Sequence, residues 1–159
     1  MDELLKILQT NALLSHEDLA RMLDLPAAEV NARIADYEKR GVIRGYQAIL
    51  NEDQLDPDKV TAVIEVKVTP QREGGFNIIA QRISRFPEVR SAYLMSGTYD
   101  LLLFVEGRTL REVASFVSER LSPLAGVLST STHFMLKTYK RLGVLMQQET
   151  SDERLTVTP

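Results

Sequence analysis

Four cations stand close together in the first third of the chain: Arg33, Lys39, Arg40 and Arg44. At such positions a guanidinium or ammonium neutralises a phosphate or donates to the acceptor edge of a guanine. The same residues have an ordinary alternative. Glu29 precedes Arg33 by four residues and Asp36 precedes Arg40 by four, the spacing of helix-surface ion pairs. A second constellation is Gly97-Thr98-Tyr99-Asp100. Glycine allows close backbone approach, turn N–H groups attract an anion, and Asp100 accepts from a cation. The same four residues also suit a plain hairpin turn. Ser129, Thr130, Ser131 and Thr132 place hydroxyls on alternate faces of a strand, so one pair could share a face with that turn. Thiol chemistry is excluded because there is no Cys. The two histidines, His16 and His133, lie in different domains, with no Cys or Asp/Glu cluster at ligand spacing. Neither a metal nor a cofactor is expected.

The elements that must carry these residues follow from periodicity. Leu4, Leu5, Ile7 and Leu8 form one face of a short helix that ends at Asn11-Ala12. Ser15, with Asp18 three residues later, resembles a capping box for a second helix, whose apolar face is Leu19, Ala20, Met22 and Leu23. Asp24-Leu25-Pro26 breaks the chain. A third helix is expected from about Ala27 to Arg40, with Ala27, Val30, Ile34 and Tyr37 turned inward and Gly41 as its stop. Residues 42–50 are β-prone with a central glycine and could form a hairpin or wing. Three short helices with a tight second turn and a hairpin describe a winged helix-turn-helix. The opening of its third helix (Ala27, Ala28, Glu29, then Asn31 and Arg33) would enter a DNA major groove. Small three-helix modules also mediate protein contacts.

After an acidic, Pro-containing linker the pattern changes. Strands are expected at residues 60–68, 89–95, 99–105 and 127–139, and helices at about 76–84 and 109–121. The order β-α-β-β-α-β is that of a ferredoxin-like split βαβ fold. Phe76, Phe86, Tyr93, Phe104 and Phe116 suit a sheet–helix core. The fold class is therefore α+β. Residues 1–50 form the helix-turn-helix domain, 51–59 the linker, 60–145 the ferredoxin-like domain and 146–159 a polar, frayed tail.

The chain is 159 residues, 44% hydrophobic and 26% charged, within the range of soluble globular domains. No apolar run approaches a membrane span, and the N-terminus does not read as a signal peptide, so a cytoplasmic protein with no membrane partner is expected. Charge is uneven. Residues 1–45 carry six basic and eight acidic side chains, whereas residues 61–145 carry eleven and seven. An acidic first domain is a poor electrostatic match for phosphate.

Ile7 to Ala12, Ser15, Leu19-Ala20, Leu25-Pro26, Val30 and Arg33-Ile34 resemble the Lrp/AsnC (feast/famine) family of bacterial and archaeal regulators. Gly41-Val42-Ile43-Arg44-Gly45-Tyr46 is the most specific stretch of the match. Ser96 to Leu101 resembles the family's Gly-x-Tyr-Asp turn, and Phe134 to Lys140 its last strand. The resemblance covers about residues 4–145. It implies a transcriptional regulator, not an enzyme, that binds double-stranded DNA. It also implies a homodimer that assembles further, often to an octamer, with an amino acid bound between dimers. Its DNA contacts would be Ala27, Ala28, Glu29, Asn31, Arg33, Lys39, Arg40 and Arg44. Its effector contacts would be Gly97, Thr98, Tyr99, Asp100, Ser129 and Ser131, with the turn N–H groups on the carboxylate and Asp100 on the ammonium. Two departures stand out. Pro26 replaces the family's capping Ser, so the third helix loses a side-chain cap. Leu13 stands where Arg is usual. An alternative is a ligand-sensing oligomerisation partner with weak DNA binding of its own. Haem-biosynthesis decarboxylases share the fold, but two histidines are a thin basis for tetrapyrrole chemistry.

Overall fold

The computed structural model describes residues 1–56, 58–70 and 75–147. The chain divides into two compact units, the first Met1–Ala48 and the second beginning at Ile49.

In the first unit α1 (Glu3–Thr10), α2 (His16–Leu23) and α3 (Ala27–Lys39) surround a small core. Each boundary has a local cause. Asp2 caps α1 by accepting from the Leu4 N–H at 3.3 Å, and Ser15 Oγ caps α2 by accepting from the Asp18 N–H at 3.0 Å. Asp24 adopts a left-handed conformation, φ 51°, which turns the chain between α2 and α3. Pro26 is the N-cap residue of α3 and supplies no side-chain hydrogen bond. At the other end Gly41, φ +70°, lets the Val42 N–H reach the Tyr37 carbonyl at 2.8 Å and its own N–H reach the Glu38 carbonyl at 3.0 Å, a Schellman closure. Leu4, Leu19, Ala20, Val30 and Ile34 are buried, with Ala27, Tyr37 and Ile43 packed against them. Each fully buried aliphatic side chain contributes about 1.5–3 kcal/mol. Residues 42–50 hold no strand, so the expected hairpin does not form. Ile43 docks on the core and the Tyr46 hydroxyl donates to Glu38 at 3.1 Å, which leaves the segment tied to α3.

The second unit begins with a short α4 (Glu52–Leu55), inside the stretch expected to be a linker. Its sheet comprises β1 (Val60–Val68), β2 (Val89–Leu94), β3 (Leu101–Gly107) and β4 (Val127–Phe134). The strands lie in the order β2-β3-β1-β4, every pair antiparallel, which is the ferredoxin-like arrangement. α5 (Asn77–Ile83) and α6 (Leu110–Ser115) bury Ile79, Ile83 and Val113 in one core with Ala62, Ile64, Val66 and Val68 of β1 and Leu101, Leu103 and Val105 of β3. α6 runs on as a π-helix, Phe116–Leu121, whose Arg120 pairs with Glu88 and lies over the Phe86 ring.

Three expectations for this unit need correction. β4 stops at Phe134, and the next residues lead to a two-residue ladder, β5 (Lys140–Arg141) with β6 (Val144–Leu145). β3 begins at Leu101, because Tyr99 and Asp100 belong to the turn. Tyr93 and Phe104 are not core residues. They pair edge to face, centroids 6.1 Å apart, on the side of the sheet opposite Ile64 and Leu103. The frayed tail expected for residues 146–159 falls outside the described residues from 148 onward.

Candidate DNA-contact helix and ligand pocket

α3 turns Ala27, Val30, Ile34 and Tyr37 to the core, so its outward side carries Ala28, Asn31, Ala32, Ala35 and Lys39, all exposed. Small neutral side chains there let the helix backbone approach a surface closely. Arg33 lies to one side of that face. Its Nε and Nη2 donate to Glu29 Oε1 at 3.1 and 2.5 Å, and its Nη1 is 3.9 Å from Asp2 Oδ2. Asp2 also accepts from the Tyr37 hydroxyl, a contact that, with its other partners, holds the Asp2 carboxyl below the usual range. Arg40 pairs with Asp36 at 2.8 Å. Both helix-surface pairs foreseen as the ordinary alternative are therefore formed. Lys39 and Arg44 are exposed and make no ion pair among the described residues. Of the four cations, Lys39 and Arg44 are thus unpaired among the described residues, and Arg33 and Arg40 are each held by a carboxylate of α3.

In the second unit, antiparallel register decides the site. Lys67 of β1 stands opposite Ser129 of β4, and Glu65 opposite Ser131. Opposed residues share a face, so one acidic, one basic and two hydroxyl side chains line up on the side of the sheet away from the helices. The turn after β2 rises beside them. Thr98 and Tyr99 from that turn, with Glu65, Lys67, Ser129, Thr130 and Ser131, enclose a cavity of about 210 Å³. That is smaller than the ~300–1,000 Å³ of drug-sized sites and suits a small polar molecule.

Four of the six residues expected at a ligand thus come together: Thr98, Tyr99, Ser129 and Ser131. Gly97 and Asp100 do not line the cavity. Gly97 has φ +141°, a backbone state that L side chains rarely adopt, with open space where a Cβ would stand. Asp100 braces the turn. Its Oδ2 accepts from the Val68 N–H at 2.8 Å, its N–H donates to the Val66 carbonyl at 3.0 Å, and its carbonyl accepts from the Met95 N–H at 2.8 Å. One oxygen of the carboxylate expected to meet a ligand's ammonium is therefore engaged at the end of β1. Glu65 and Lys67 were not foreseen. Their charges interrupt the apolar alternation of β1 at two successive outward positions, and that was the available signal.

At the edge of the cavity His133 Nε2 lies 3.5 Å from Glu65 Oε1 and 3.3 Å from Ser131 Oγ. A hydrolytic relay needs the acid on one ring nitrogen and the hydroxyl on the other. Here both partners meet the same nitrogen. No group of three or more metal-ligating side chains occurs among the described residues, and no described helix is long and apolar enough to cross a membrane.

Comparison with known proteins adds the following. A family model for the Lrp/AsnC ligand binding domain matches residues 61–145, and one for a winged helix-turn-helix DNA-binding domain matches residues 3–44. An uncharacterised HTH-type transcriptional regulator of Bacillus subtilis is 45% identical over 99% of this chain and 95% of its own. A proline dehydrogenase transcriptional activator of Rhodobacter capsulatus is 32% identical over 80% of this chain and 82% of its own. Among solved structures, a transcriptional regulator of Neisseria meningitidis in complex with L-Met superposes with a TM-score of 0.70 at 25% identity, covering 89% of this chain and 93% of that one.

Proposed function

The chain belongs to the Lrp/AsnC family of DNA-binding transcriptional regulators, and on that premise we propose that its DNA occupancy responds to an amino acid held in the Thr98–Tyr99 pocket of a homo-oligomer. One observation carries the effector reading: Glu65 and Lys67, opposite charges two residues apart on one strand face, share a small cavity with five hydroxyl-bearing residues from β4 and the turn. A free amino acid needs an acceptor for its ammonium and a donor for its carboxylate. Glu65 supplies the first and Lys67 the second, and Ser129, Ser131, Thr98 and Tyr99 complete the polar wall. The L-Met complex of the Neisseria regulator supports an amino acid over other zwitterions.

Assembly is part of the reading. The helices cover one face of the sheet and leave Val63, Leu102, Phe104 and Tyr93 on the other, beside the pocket. A second copy packing there would bury apolar area and reach the pocket edge, so ligand and assembly would share one surface and bias one equilibrium. The full chain is expected to be at least a dimer by size exclusion with light scattering, and Phe104→Glu is expected to lower its mass. A wild-type monomer at micromolar concentration would refute this part.

DNA contact is assigned to the outward side of α3 (Ala28, Asn31), to Lys39 and Arg44, and to Arg33 and Arg40 once their pairs open; Ala27, expected among the contacts, packs against the core instead. Glu29 restrains Arg33. The acidic first unit and its paired arginines favour, as a second reading, an oligomerisation partner that binds DNA only weakly. Fluorescence anisotropy on the chain's own promoter fragment separates the two. A regulator is expected to lose affinity steeply between about 50 and 200 mM salt and to change affinity with one of the twenty amino acids. Equal, weak binding to promoter and random DNA at low salt would favour the partner.

A further inference from the structure

His133 stands just outside the pocket wall. It follows Ser131 by two residues on β4 and so projects from the same face. Its ring nitrogen touches both the carboxylate and one of the hydroxyls that line the cavity. The charged groups facing it come from β1, where Glu65 is in contact and Lys67 lies one outward position further along, opposite Ser129. The helices pack on the other side of the sheet. Both members of the contact reach solvent, with 57% of the His133 side chain and 36% of the Glu65 side chain exposed. In the single chain the imidazole can therefore exchange its proton with water.

We propose that His133 makes the occupancy of this pocket proton-sensitive by competing with the effector's ammonium for Glu65. An imidazole changes charge in the span of about pH 5–8. When His133 is neutral, the Glu65 carboxylate, the one anionic group of the pocket wall among the described residues, is free for an ammonium. When His133 is protonated, it becomes the counter-ion of Glu65 through a charge-assisted hydrogen bond and repels a second cation beside it. Amino-acid affinity therefore falls as pH falls. Linkage is reciprocal, so an ammonium on Glu65 drives the proton off His133. The contact is half exposed and screened, which places the coupling at the lower end of the usual range, about five- to twentyfold in affinity.

This inference rests on the pocket being the effector site, and the experiment separates the two. The full-length protein is titrated calorimetrically at pH 8 and pH 5.5 with each of the twenty standard L-amino acids. The wild type is expected to bind one or more of them about five- to twentyfold more weakly at the lower pH. His133→Gln, which keeps a polar group but cannot take a proton, is expected to bind with nearly equal affinity at the two pH values. NMR titration of the His133 ring is expected to show a lower midpoint with the bound amino acid than without it. A pH dependence that persists in His133→Gln, or a His133 midpoint unmoved by the amino acid, would overturn the inference and leave the effector site standing. Heat from none of the twenty amino acids at either pH would overturn the effector site and the inference together. Circular dichroism of the variant separates a folding defect from either result. A misfolded His133→Gln moves the decision to the wild-type NMR midpoint.

Discussion

Replacing Asp100 tests how the turn is held. Asp100→Ala removes the acceptor of the Val68 N–H, and Val68 is 3% exposed. A buried amide left without a partner costs about 1–3 kcal/mol, and a bond to a charged acceptor lies in the upper part of that span. A loss of about 2 kcal/mol follows. For a domain of this size each kcal/mol moves the melting point by about 4–8 °C, so the second unit is expected to melt roughly 8–16 °C lower. Asp100→Asn keeps an amide oxygen where Oδ2 stands and is expected to recover more than half of the loss. Differential scanning calorimetry of the full-length protein reads both variants. An Asp100→Ala protein within about 0.5 kcal/mol of wild type, the range of an unengaged surface position, would refute a bracing role. A second refutation is available on the ligand side. If Asp100→Asn melts like wild type yet binds its amino acid ten- to a hundredfold more weakly, the carboxylate serves the ligand and not the Val68 amide.

Other predictions follow from single contacts. Glu29→Gln releases the Arg33 fork and removes a negative charge near the DNA face; non-specific DNA affinity is expected to rise, and one added phosphate contact would steepen the log–log salt slope by about 0.9. An unchanged slope would place Arg33 off the duplex. Gly126→Ala is expected to destabilise the second unit by about 1–3 kcal/mol, because φ is +96° and the new Cβ would stand 3.2 Å from Ile79 Cδ1; urea unfolding measures it. Glu52 accepts from Arg141 at 2.5 Å and from Lys59 at 3.1 Å, and these bonds, Arg141 foremost, hold its carboxyl below the ordinary value. Its contribution is present above the ordinary glutamate range and is lost as pH falls through the lowered value. The exposure of the pair limits it to about 1 kcal/mol or less. Glu52→Gln is expected to flatten the acid limb of the stability–pH curve, and an identical limb in the variant would show that the pair contributes nothing.

The sequence alone settled those features that depend on neighbours along the chain. A helix stripe such as Ala27, Val30, Ile34, Tyr37 repeats within a few turns, Ser15 caps an amide three residues away, and Gly41 closes a helix through bonds spanning six residues. The alternation in Val60 to Val68 marked a strand half covered by helices, and the order of elements left one common topology. The i,i+4 pairs Glu29–Arg33 and Asp36–Arg40 were legible for the same reason.

The pocket was not legible, because its walls are set by registers between segments far apart in sequence. Nothing local indicates that Lys67 faces Ser129 or that Glu65 faces Ser131. A shift of one residue in that pairing would send Ser129 and Ser131 to the helix side of the sheet, away from Glu65 and Lys67. The role of Asp100 has the same origin: its partner, Val68, is 32 residues away. Residues 42–50 have strand composition but no neighbouring edge within their own unit, so β propensity found no ladder to join. Tyr93 and Phe104 suit a core by type, and only the helices' choice of the other face left them uncovered. Local chemistry chose the elements; long-range pairing chose which charges share a cavity.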